Sequence, residues 1–376
     1  MRVGLDLLYL TPGQTGGRES YARELVPALL ERAPELELVA FVNRDAGAQL
    51  AAELGDAVQA VVLPVTERSR IQWAAGELAL VSVAAARQRV ELVHSLANFA
   101  PAWGPFRRIV TIHDLQYKAL PELLSWPMRT GTSALISLAA RRAQRIIAVS
   151  GAGRDEIVAG LGVEPERIDV VPNGVRPPPP AADEAATAAM RERLGLGTRA
   201  VVLSVASNLA HKNLASLLDA LALMPSSRRP ALVIAGHGSD DGVLAARAST
   251  LDLSADVRLL GHCSTAELES LYALAACLAL PTLHEGFGLP VIEAMARSLP
   301  VACSDIAALR EVGGAAALYF DPRAPAQIAA RIDELIADEQ LAGRLRELGL
   351  AQAARFSWAA AAEGTLASYR RALAQA

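Results

Sequence analysis

Two glutamates separated by seven residues, Glu285 and Glu293, are the pair of side chains in this sequence best suited to bind a polar ligand. Between them stand two glycines, Gly286 and Gly288, and a proline, Pro290. A strand-like apolar run precedes the pair and helical periodicity follows it, so the loop joins a strand to a helix that has the proline in its first turn. The glycines let the backbone approach a ligand, and the N–H groups at the helix start attract an anion. Because carboxylates accept hydrogen bonds from hydroxyls, the segment predicts a site for an extended ligand with hydroxyls and a phosphate.

A histidine, an aspartate and a lysine that could bind a ligand follow two other predicted strands. His113 and Asp114 follow the apolar run 110–112, at the carboxyl end of a strand, where open parallel sheets place their ligands. Lys212 follows the predicted strand 200–206. It is one of two lysines among the 36 basic residues, which indicates a preference there for a compact ammonium group. A single histidine is often structural, but the position of His113 favours a side chain that points to a ligand and contributes little to the core.

These residues must be positioned by a regular alternation of strands and helices. Apolar runs of strand length begin near residues 3, 36, 57, 90, 108, 145, 200, 233, 257 and 278. Helical periodicity separates them, so we predict parallel sheets covered by helices on both faces, an α/β fold. A glycine-rich loop that contains Gly16 and Gly17 joins the first strand to a helix predicted over 19–31.

Chain length and a proline-rich segment predict two domains. A chain of 376 residues is long for one hydrophobic core. Residues 177–180 are four prolines, which form a semi-rigid connection. We therefore predict an N-terminal domain over 1–176, a second domain over 177–355 and a last helical segment over 356–376.

Composition excludes several classes of protein. The formal net charge of −4 is not that of a nucleic-acid-binding protein. The three cysteines lack CxxC spacing, so neither a disulfide framework nor a metal site is indicated, and we expect no cofactor. No charge-free apolar run reaches the roughly 18 residues of a membrane-spanning helix, and we expect a cytoplasmic protein. A basic run is either a solvated helix face or a contact with an anionic acceptor or the inner face of the membrane; its members are Arg129, Arg141, Arg142, Arg145 and Arg154.

The segment from Glu285 to Glu293 closely resembles the E-x7-E signature of the retaining glycosyltransferases of family 4, which have the GT-B fold. Further segments that resemble this family are the Gly16-Gly17 loop, His113-Asp114, the Pro-Asn-Gly turn at 172–174 and Lys212. The resemblance spans nearly the whole chain. It implies two doubly wound, Rossmann-like domains that face a central cleft, the first for the acceptor and the second for the donor, with a last helix that crosses back to the first domain.

The resemblance also implies a role for each of these residues at a nucleotide-diphosphate sugar. Glu285 contacts the hydroxyls of the transferred sugar, and Glu293 holds the ribose. Lys212 neutralises the diphosphate, and His113 hydrogen-bonds a sugar hydroxyl, so that these two and Glu285 form the implied catalytic set. Further donor contacts are implied for the backbone of Gly16, Gly17, Gly236, Gly286, Phe287, Gly288 and Leu289.

Three positions carry less specific implications. The family usually has an arginine immediately before the lysine, whereas this chain has His211. The sequence therefore leaves open whether a second side chain helps to bind the phosphates. Asn98 and Asp114 lie in segments similar to the acceptor region of the family, and the resemblance implies that they bind the acceptor.

Within the family, the chain is most similar to mannosyltransferases of bacterial surface-polysaccharide synthesis. This implies metal-independent transfer of a hexose with retention, first of all mannose from GDP-mannose, to a glycan or a lipid-linked acceptor. Peripheral membrane contact through the first domain is compatible with such an acceptor. A UDP- or dTDP-sugar donor, a sugar-nucleotide epimerase of the same fold and a non-catalytic nucleotide-sugar-binding protein are alternatives that the sequence leaves open.

Overall fold

The computed structural model of the chain describes residues 1–66, 69–179 and 183–374. The chain divides into two compact units. The N-terminal unit comprises Met1–Gly174 and Ser357–Ala376, and the C-terminal unit comprises Val175–Phe356. The predicted domain boundaries differ from these by one or two residues. Of the four linker prolines, Pro180 lies outside the described residues.

The sheet of the N-terminal unit has seven strands among the described residues. They are β1 (Arg2–Leu7), β2 (Glu37–Asn43), β3 (Val58–Leu63), β4 (Leu92–Ser95), β5 (Arg107–Ile112), β6 (Arg145–Ala148) and β7 (Ile168–Val170). All neighbours pair in parallel, in the order β3-β2-β1-β4-β5-β6-β7. The strand order reverses between β1 and β4. The loops that follow these two strands therefore leave the same edge of the sheet, where a ligand site is expected.

The sheet of the C-terminal unit has six strands in the described part of the chain. They are β8 (Val201–Val205), β9 (Ala231–Ala235), β10 (Val257–Leu259), β11 (Cys277–Leu280), β12 (Val301–Ser304) and β13 (Ala317–Phe320). They also pair in parallel, in the order β10-β9-β8-β11-β12-β13. The switch point lies between β8 and β11. Each of the predicted strands is present, so the α/β alternation predicted from the sequence is confirmed.

Helices cover both sheets. They are α1 (Gly17–Arg32), α2 (Gly47–Leu54), α3 (Arg70–Ala75), α4 (Val81–Arg87), α5 (Gln116–Ala119), α6 (Trp126–Arg142), α7 (Gly151–Leu161), α8 (Glu184–Arg193), α9 (Leu214–Leu223), α10 (Val243–Thr250), α11 (Thr265–Leu274), α12 (Leu289–Ala296), α13 (Ala307–Gly313), α14 (Pro325–Ala337), α15 (Glu339–Ala353) and α16 (Trp358–Ala374). A π-helical turn over Gly76–Leu80 joins α3 to α4. The strands are buried by these helices, and their apolar side chains form the cores.

The last helix, α16, packs within the N-terminal unit, against α1 and the strands β5 to β7. Its Tyr369 is fully buried and its hydroxyl lies 2.8 Å from Nδ1 of His94. The chain approaches itself closely at Gly174, where a Cβ atom would lie 2.1 Å from the backbone nitrogen of Trp358. Glycine is therefore required in the Pro-Asn-Gly turn because the returning chain occupies the space of a side chain.

One member of the predicted basic run is part of the interior. Arg145 lies in β6 and is 8% exposed, and its Nε donates to Oδ2 of Asp169 at 2.9 Å. Asp169 also accepts a hydrogen bond from Ser368 of α16. The interpretation of Arg145 as part of a surface cluster is therefore wrong, because strand β6 directs its guanidinium to a buried carboxylate.

Candidate functional site

The C-terminal unit brings Lys212 and Glu285 together at its switch point. Lys212 ends a short 3₁₀ turn, Ala210–Lys212, in the loop after β8, and Glu285 lies in the loop after β11. Because β8 and β11 are neighbours, both loops leave the same edge of the sheet. Nζ of Lys212 lies 2.5 Å from Oε1 of Glu285, and the two side chains are 19% and 13% exposed. The result is an ion pair that is largely buried but still reached by solvent.

Hydrogen bonds hold these two loops against each other. The carbonyl oxygen of His211 accepts from the backbone nitrogen of Leu283 at 2.7 Å and lies 3.1 Å from Oγ1 of Thr282. Asn213, in the left-handed region at φ 55°, donates through Nδ2 to the carbonyl of Pro281 at 3.0 Å. These hydrogen bonds fix the backbone of the two loops that carry Lys212 and Glu285. The side chain of His211 is 9% exposed, and its implied contact with the phosphates stays a prediction.

The loop after β11 ends at the start of α12, as the sequence predicts. Gly288 caps this helix at φ 104°, and Leu289 and Pro290 form its first turn. A Cβ at Gly288 would lie 2.3 Å from Cδ2 of Leu309, so close packing and backbone conformation both require glycine. Phe287 is 4% exposed and its ring meets that of Phe356 edge to face at 5.6 Å between centroids. Its side chain therefore anchors the loop, and only its backbone can face a ligand.

Glu293 lies in the second turn of α12 and is oriented by a tyrosine that the sequence analysis missed. The buried Tyr272 of α11 donates its hydroxyl to Oε2 of Glu293 at 3.0 Å. Burial and the charge of Glu293 raise the pKa of Tyr272 well above its usual value, so the phenol remains a donor. Arg297 lies over the tyrosine ring at 4.9 Å and pairs with Glu269. A tyrosine within an apolar helical run provides no sequence signal for this role.

Gly236 holds the turn after β9 through both of its peptide groups. Its N–H donates to the carbonyl of Gly261 at 2.6 Å, and its carbonyl accepts from Ser239 at 3.1 Å. A Cβ at this position would lie 2.2 Å from the carbonyl oxygen of Ala206, in the loop that leads to Lys212. Both backbone groups of Gly236 thus form hydrogen bonds within the unit, and its implied donor contact stays a prediction.

The N-terminal unit presents a second set of polar groups, beginning with the loop after β1. Gly16 caps α1 at φ 55°, and Gly17 is the first residue of the helix. The first N–H groups of a helix lack acceptors within it, so this loop can hold an anion, and the implied donor contacts of Gly16 and Gly17 stay predictions. Arg18 adds a cation that the sequence analysis did not single out. Its guanidinium lies 5.8 Å from the ring centroid of Tyr9, and no carboxylate pairs with it in the described part of the chain.

His113 is more buried than predicted. It is 8% exposed, its ring meets that of Tyr21 edge to face at 4.9 Å, and its Nε2 lies 2.8 Å from the carbonyl oxygen of Leu96. Burial lowers the pKa of His113 to about 4, an effect that the nearby charge of Arg18 increases. The neutral ring must carry its proton on Nε2 to bond the carbonyl, which leaves Nδ1 as a hydrogen-bond acceptor. The structure thus does not support the expectation that His113 contributes little to the core.

Asn98 holds the backbone on which His113 is mounted. Its Oδ1 accepts from the backbone nitrogen of His113 at 2.8 Å, and its Nδ2 donates to the carbonyl of Asp114 at 3.1 Å. Asn98 is therefore at least partly structural, and its implied acceptor contact stays a prediction. Asp114 is half-buried, and its Oδ1 accepts from the backbone nitrogen of Gln116 at 3.1 Å. Its second carboxylate oxygen keeps the capacity to bind a hydroxyl.

In residues 1–66, 69–179 and 183–374, no three histidine, cysteine, aspartate or glutamate side chains are arranged to hold a metal ion. None of the described helices combines the length and the apolar character needed to span a bilayer.

Family models match most of the chain. Residues 15–177 match the model described as Glycosyltransferase Family 4, and residues 187–351 match Glycosyl transferases group 1. The chain is 28% identical over 267 residues to O-antigen chain mannosyltransferase B of Escherichia coli, a match that covers 70% of each protein. It is 29% identical over 240 residues to MMP alpha-(1->4)-mannosyltransferase of Mycolicibacterium hassiacum, and this match covers 63% of the chain but only 56% of that relative.

Solved structures share the fold. Sucrose-phosphate synthase from Thermosynechococcus elongatus superposes with a TM-score of 0.83 at 19% identity and 100% coverage of both chains. Anabaena HepE in complex with UDP-glucose superposes with a TM-score of 0.78 at 20% identity, covering 98% of this chain and 100% of HepE. The matched segments and the two Rossmann-like units agree with the E-x7-E segment and its paired lysine: the chain belongs to glycosyltransferase family 4 and has the GT-B fold.

Proposed function

We propose that this protein is a retaining, metal-independent mannosyltransferase that uses GDP-mannose and a glycan or lipid-linked acceptor in surface-polysaccharide synthesis. The observation that carries the proposal is the Lys212–Glu285 ion pair beside the start of α12. It combines a cation for a diphosphate, a carboxylate for sugar hydroxyls and helix N–H groups for an anion. The names of relatives such as O-antigen chain mannosyltransferase B support the choice of mannose.

Lys212 and the start of α12 stabilise the leaving diphosphate in this proposal. An ammonium group has three donors, and the contact with Glu285 uses one of them. The other donors can bind phosphate oxygens while Glu285 keeps Nζ in place. Charge on the diphosphate increases as the glycosidic bond breaks, so donors that are fixed in advance stabilise the transition state more than the ground state.

Retention follows from a front-face reaction. Glu285 is engaged by Lys212, which makes it a poor nucleophile for the anomeric carbon. The bond between the anomeric carbon and the diphosphate oxygen breaks, and the acceptor hydroxyl oxygen forms its bond from the same face. The hydroxyl proton passes to the departing phosphate oxygen, so atoms and charge balance without an added base.

The remaining residues bind and orient substrates. Glu293, held by Tyr272, accepts hydrogen bonds from the ribose hydroxyls. Neutral His113 accepts a hydrogen bond from a substrate hydroxyl through Nδ1, and the carboxylate of Asp114 binds the acceptor. A lipid-linked acceptor would bring the protein to the inner face of the membrane as a peripheral enzyme.

The test is a thermal-shift panel of GDP, UDP, dTDP and ADP sugars, followed by transfer assays with the donor that binds. A ligand at about 100 times its dissociation constant adds roughly 2.7 kcal/mol of stability, which such a panel resolves. We expect GDP-mannose to give the largest shift and an α-linked product by NMR. A larger shift with a UDP or dTDP sugar would reject the donor, and a β-linked product would reject retention.

Incubation of the donor without an acceptor separates the other classes. An epimerase would convert the donor sugar to its epimer with release of the nucleotide, and a binding protein would return the donor unchanged with every acceptor tried. A transferase shows slow hydrolysis at most until an acceptor hydroxyl is supplied. Glycan fragments with terminal mannose are the first acceptors to try.

A further inference from the structure

A groove in the N-terminal unit has the composition of an anion site and plays no part in the chemistry described above. It lies between α5 with the short 3₁₀ turn Pro121–Leu123 on one side and α6 on the other, and has a volume of about 870 Å³. Three cations line it, Lys118, Arg129 and Arg141. No acidic residue is among the described residues that line it.

The cations of the groove are not neutralised by the protein. Among the described residues, no carboxylate pairs with Lys118, Arg129 or Arg141, whereas many other arginines of the chain form ion pairs. The sequence explains this, because no aspartate or glutamate occurs between Glu122 and Asp155. Arg154, another member of the predicted basic run, does pair, with Asp155. The groove therefore has an excess of positive charge that a ligand can satisfy.

A buried phenol points to the same kind of ligand. Tyr117 is 4% exposed and lines the groove beside Ser133, whose hydroxyl lies near its own, but the Tyr117 hydroxyl has no partner at full hydrogen-bonding geometry in the described part of the protein. An unsatisfied buried hydroxyl costs about 1–3 kcal/mol, so a ligand atom that accepts a hydrogen bond from Tyr117 would be stabilised there. Burial raises the pKa of Tyr117, which the contact with Ser133 opposes only in part, so the phenol is a donor at neutral pH.

The groove is built from well-positioned elements. Ser133, Ser137 and Arg141 recur at four-residue spacing on α6, which places their side chains on one face of the helix. The stem of Lys118 packs against α7, since a Cβ at Gly160 would lie 3.2 Å from Cδ of Lys118. Its ammonium group lies 5.7 Å from the ring centroid of Tyr117. Cations, serine hydroxyls and a phenol thus face one space.

We propose that this groove binds the phosphate group of a phosphorylated ligand, held by Lys118, Arg129 and Arg141 and by hydrogen bonds from Tyr117, Ser133 and Ser137. A phosphate ester has the charge and the acceptor oxygens that these donors lack. The group belongs either to a lipid headgroup or to a soluble phosphorylated glycan. The inference does not depend on which sugar nucleotide the C-terminal unit binds.

The test is a ³¹P NMR titration with glycerol 3-phosphate as the probe, on the full chain with saturating GDP present. We expect saturable binding that Lys118→Ala weakens on the order of tenfold and Tyr117→Phe several-fold. Arg142→Ala is the matched control, because Arg142 ends the same helix but does not line the groove; it should change the dissociation constant less than twofold. Absence of saturable binding, or an equal loss in Arg142→Ala, would overturn the proposal.

Vesicles distinguish the two sources of the phosphate. Sedimentation with phosphatidylglycerol vesicles that glycerol 3-phosphate competes away and Lys118→Ala abolishes identifies a lipid headgroup. Binding of the probe without sedimentation identifies a soluble phosphorylated ligand, and either result supports the groove. GDP titration of every variant shows that the chain is folded. A natural protein that binds the probe but not GDP would contradict the proposed donor without affecting the groove.

Discussion

Lys212 Nζ and Glu285 Oε1 lie 2.5 Å apart although the two residues are 73 positions apart in the chain. The contact joins the loops after two neighbouring strands, β8 and β11, and both side chains are less than a fifth exposed. Removing one partner of such a largely buried ion pair lowers the unfolding free energy, because water solvates the remaining charge only in part. The pair therefore couples local stability to the chemistry proposed for the lysine.

Lys212→Met should lower the transfer rate about a hundredfold, since loss of one well-placed donor to a developing anion costs on the order of 3 kcal/mol. It should also lower the unfolding free energy by about 1–3 kcal/mol, because Glu285 loses its partner. Adding Glu285→Gln should restore the stability but not the rate. Urea unfolding and initial rates of the natural protein and these two variants check this. A double variant as unstable as Lys212→Met would show that the ion pair is not the source of the loss.

Glu293→Ala should weaken binding of GDP itself, whereas Glu285→Ala should spare GDP binding and lower turnover, since we place the two carboxylates at opposite ends of the donor. Tyr272→Phe should weaken GDP binding several-fold, because the hydroxyl that orients Glu293 at 3.0 Å is lost. Calorimetry with GDP measures nucleotide binding by all three variants, and a transfer assay measures the turnover of Glu285→Ala. Equal losses in the two glutamate variants would reject the assignment of ribose to Glu293.

Two buried histidines should make the N-terminal unit sensitive to acid. Burial lowers the pKa of His113 to about 4 and that of His94 to about 3, so both are neutral in the fold, while an unfolded histidine titrates near 6.5. The contribution of these neutral histidines to the unfolding free energy is fully present above about pH 6.5. It falls as the pH decreases toward 4, by up to about 1.4 kcal/mol per pH unit for each histidine. Unfolding free energies of the natural protein and His94→Gln, measured between pH 7 and 4.5, should converge at the acid end. Parallel profiles would contradict the assignment to His94.

A buried pair of carboxyl groups should act in the opposite direction. Asp6 and Glu77 are 1% and 2% exposed and share a hydrogen bond, and burial raises the pKa of Glu77 well above its usual value. Glu77 therefore keeps its proton in the fold after the unfolded chain has lost it. The contribution of Glu77 to the unfolding free energy is fully present below about pH 4.5 and decreases as the pH rises.

Glu77→Gln retains a neutral hydrogen-bond donor to Asp6 and removes this titration. The variant should become progressively more stable than the natural protein between pH 5 and pH 8. Urea denaturation of both proteins at three pH values between 5 and 8 measures this difference in unfolding free energy. A constant difference across that range would mean that Glu77 does not retain its proton.

Gly288→Ala should distort the start of α12. The new methyl group would lie 2.3 Å from Cδ2 of Leu309, and φ 104° is strained for any residue with a Cβ. We expect a loss of roughly 1–3 kcal/mol in stability and weaker GDP binding. Gly131→Ala on α6 is the matched control, because open space surrounds that position and alanine favours the helix. The idea fails if Gly288→Ala binds GDP as well as this control does.

Local patterns in the sequence determined much of this description. Apolar runs and their spacing predict the strands and the α/β class, because burial between helices requires such runs. The glycines and proline after Glu285 predict a strand-to-helix loop, and the structure has one, with Gly288 as the cap. The family resemblance rests on the same residues, since a backbone conformation that favours glycine places glycine at a fixed position in the sequence.

Tertiary structure alone decided which distant side chains meet. The strand order places Lys212 against Glu285, and the packing of α11 on its neighbours provides Tyr272 for Glu293. It also buries His113 and takes Arg145 into an internal ion pair, so two side chains expected to face solvent or a ligand are partly or wholly structural. The physical reason is that periodicity reports whether a residue is buried, whereas its partner depends on strand order and on the packing of whole elements.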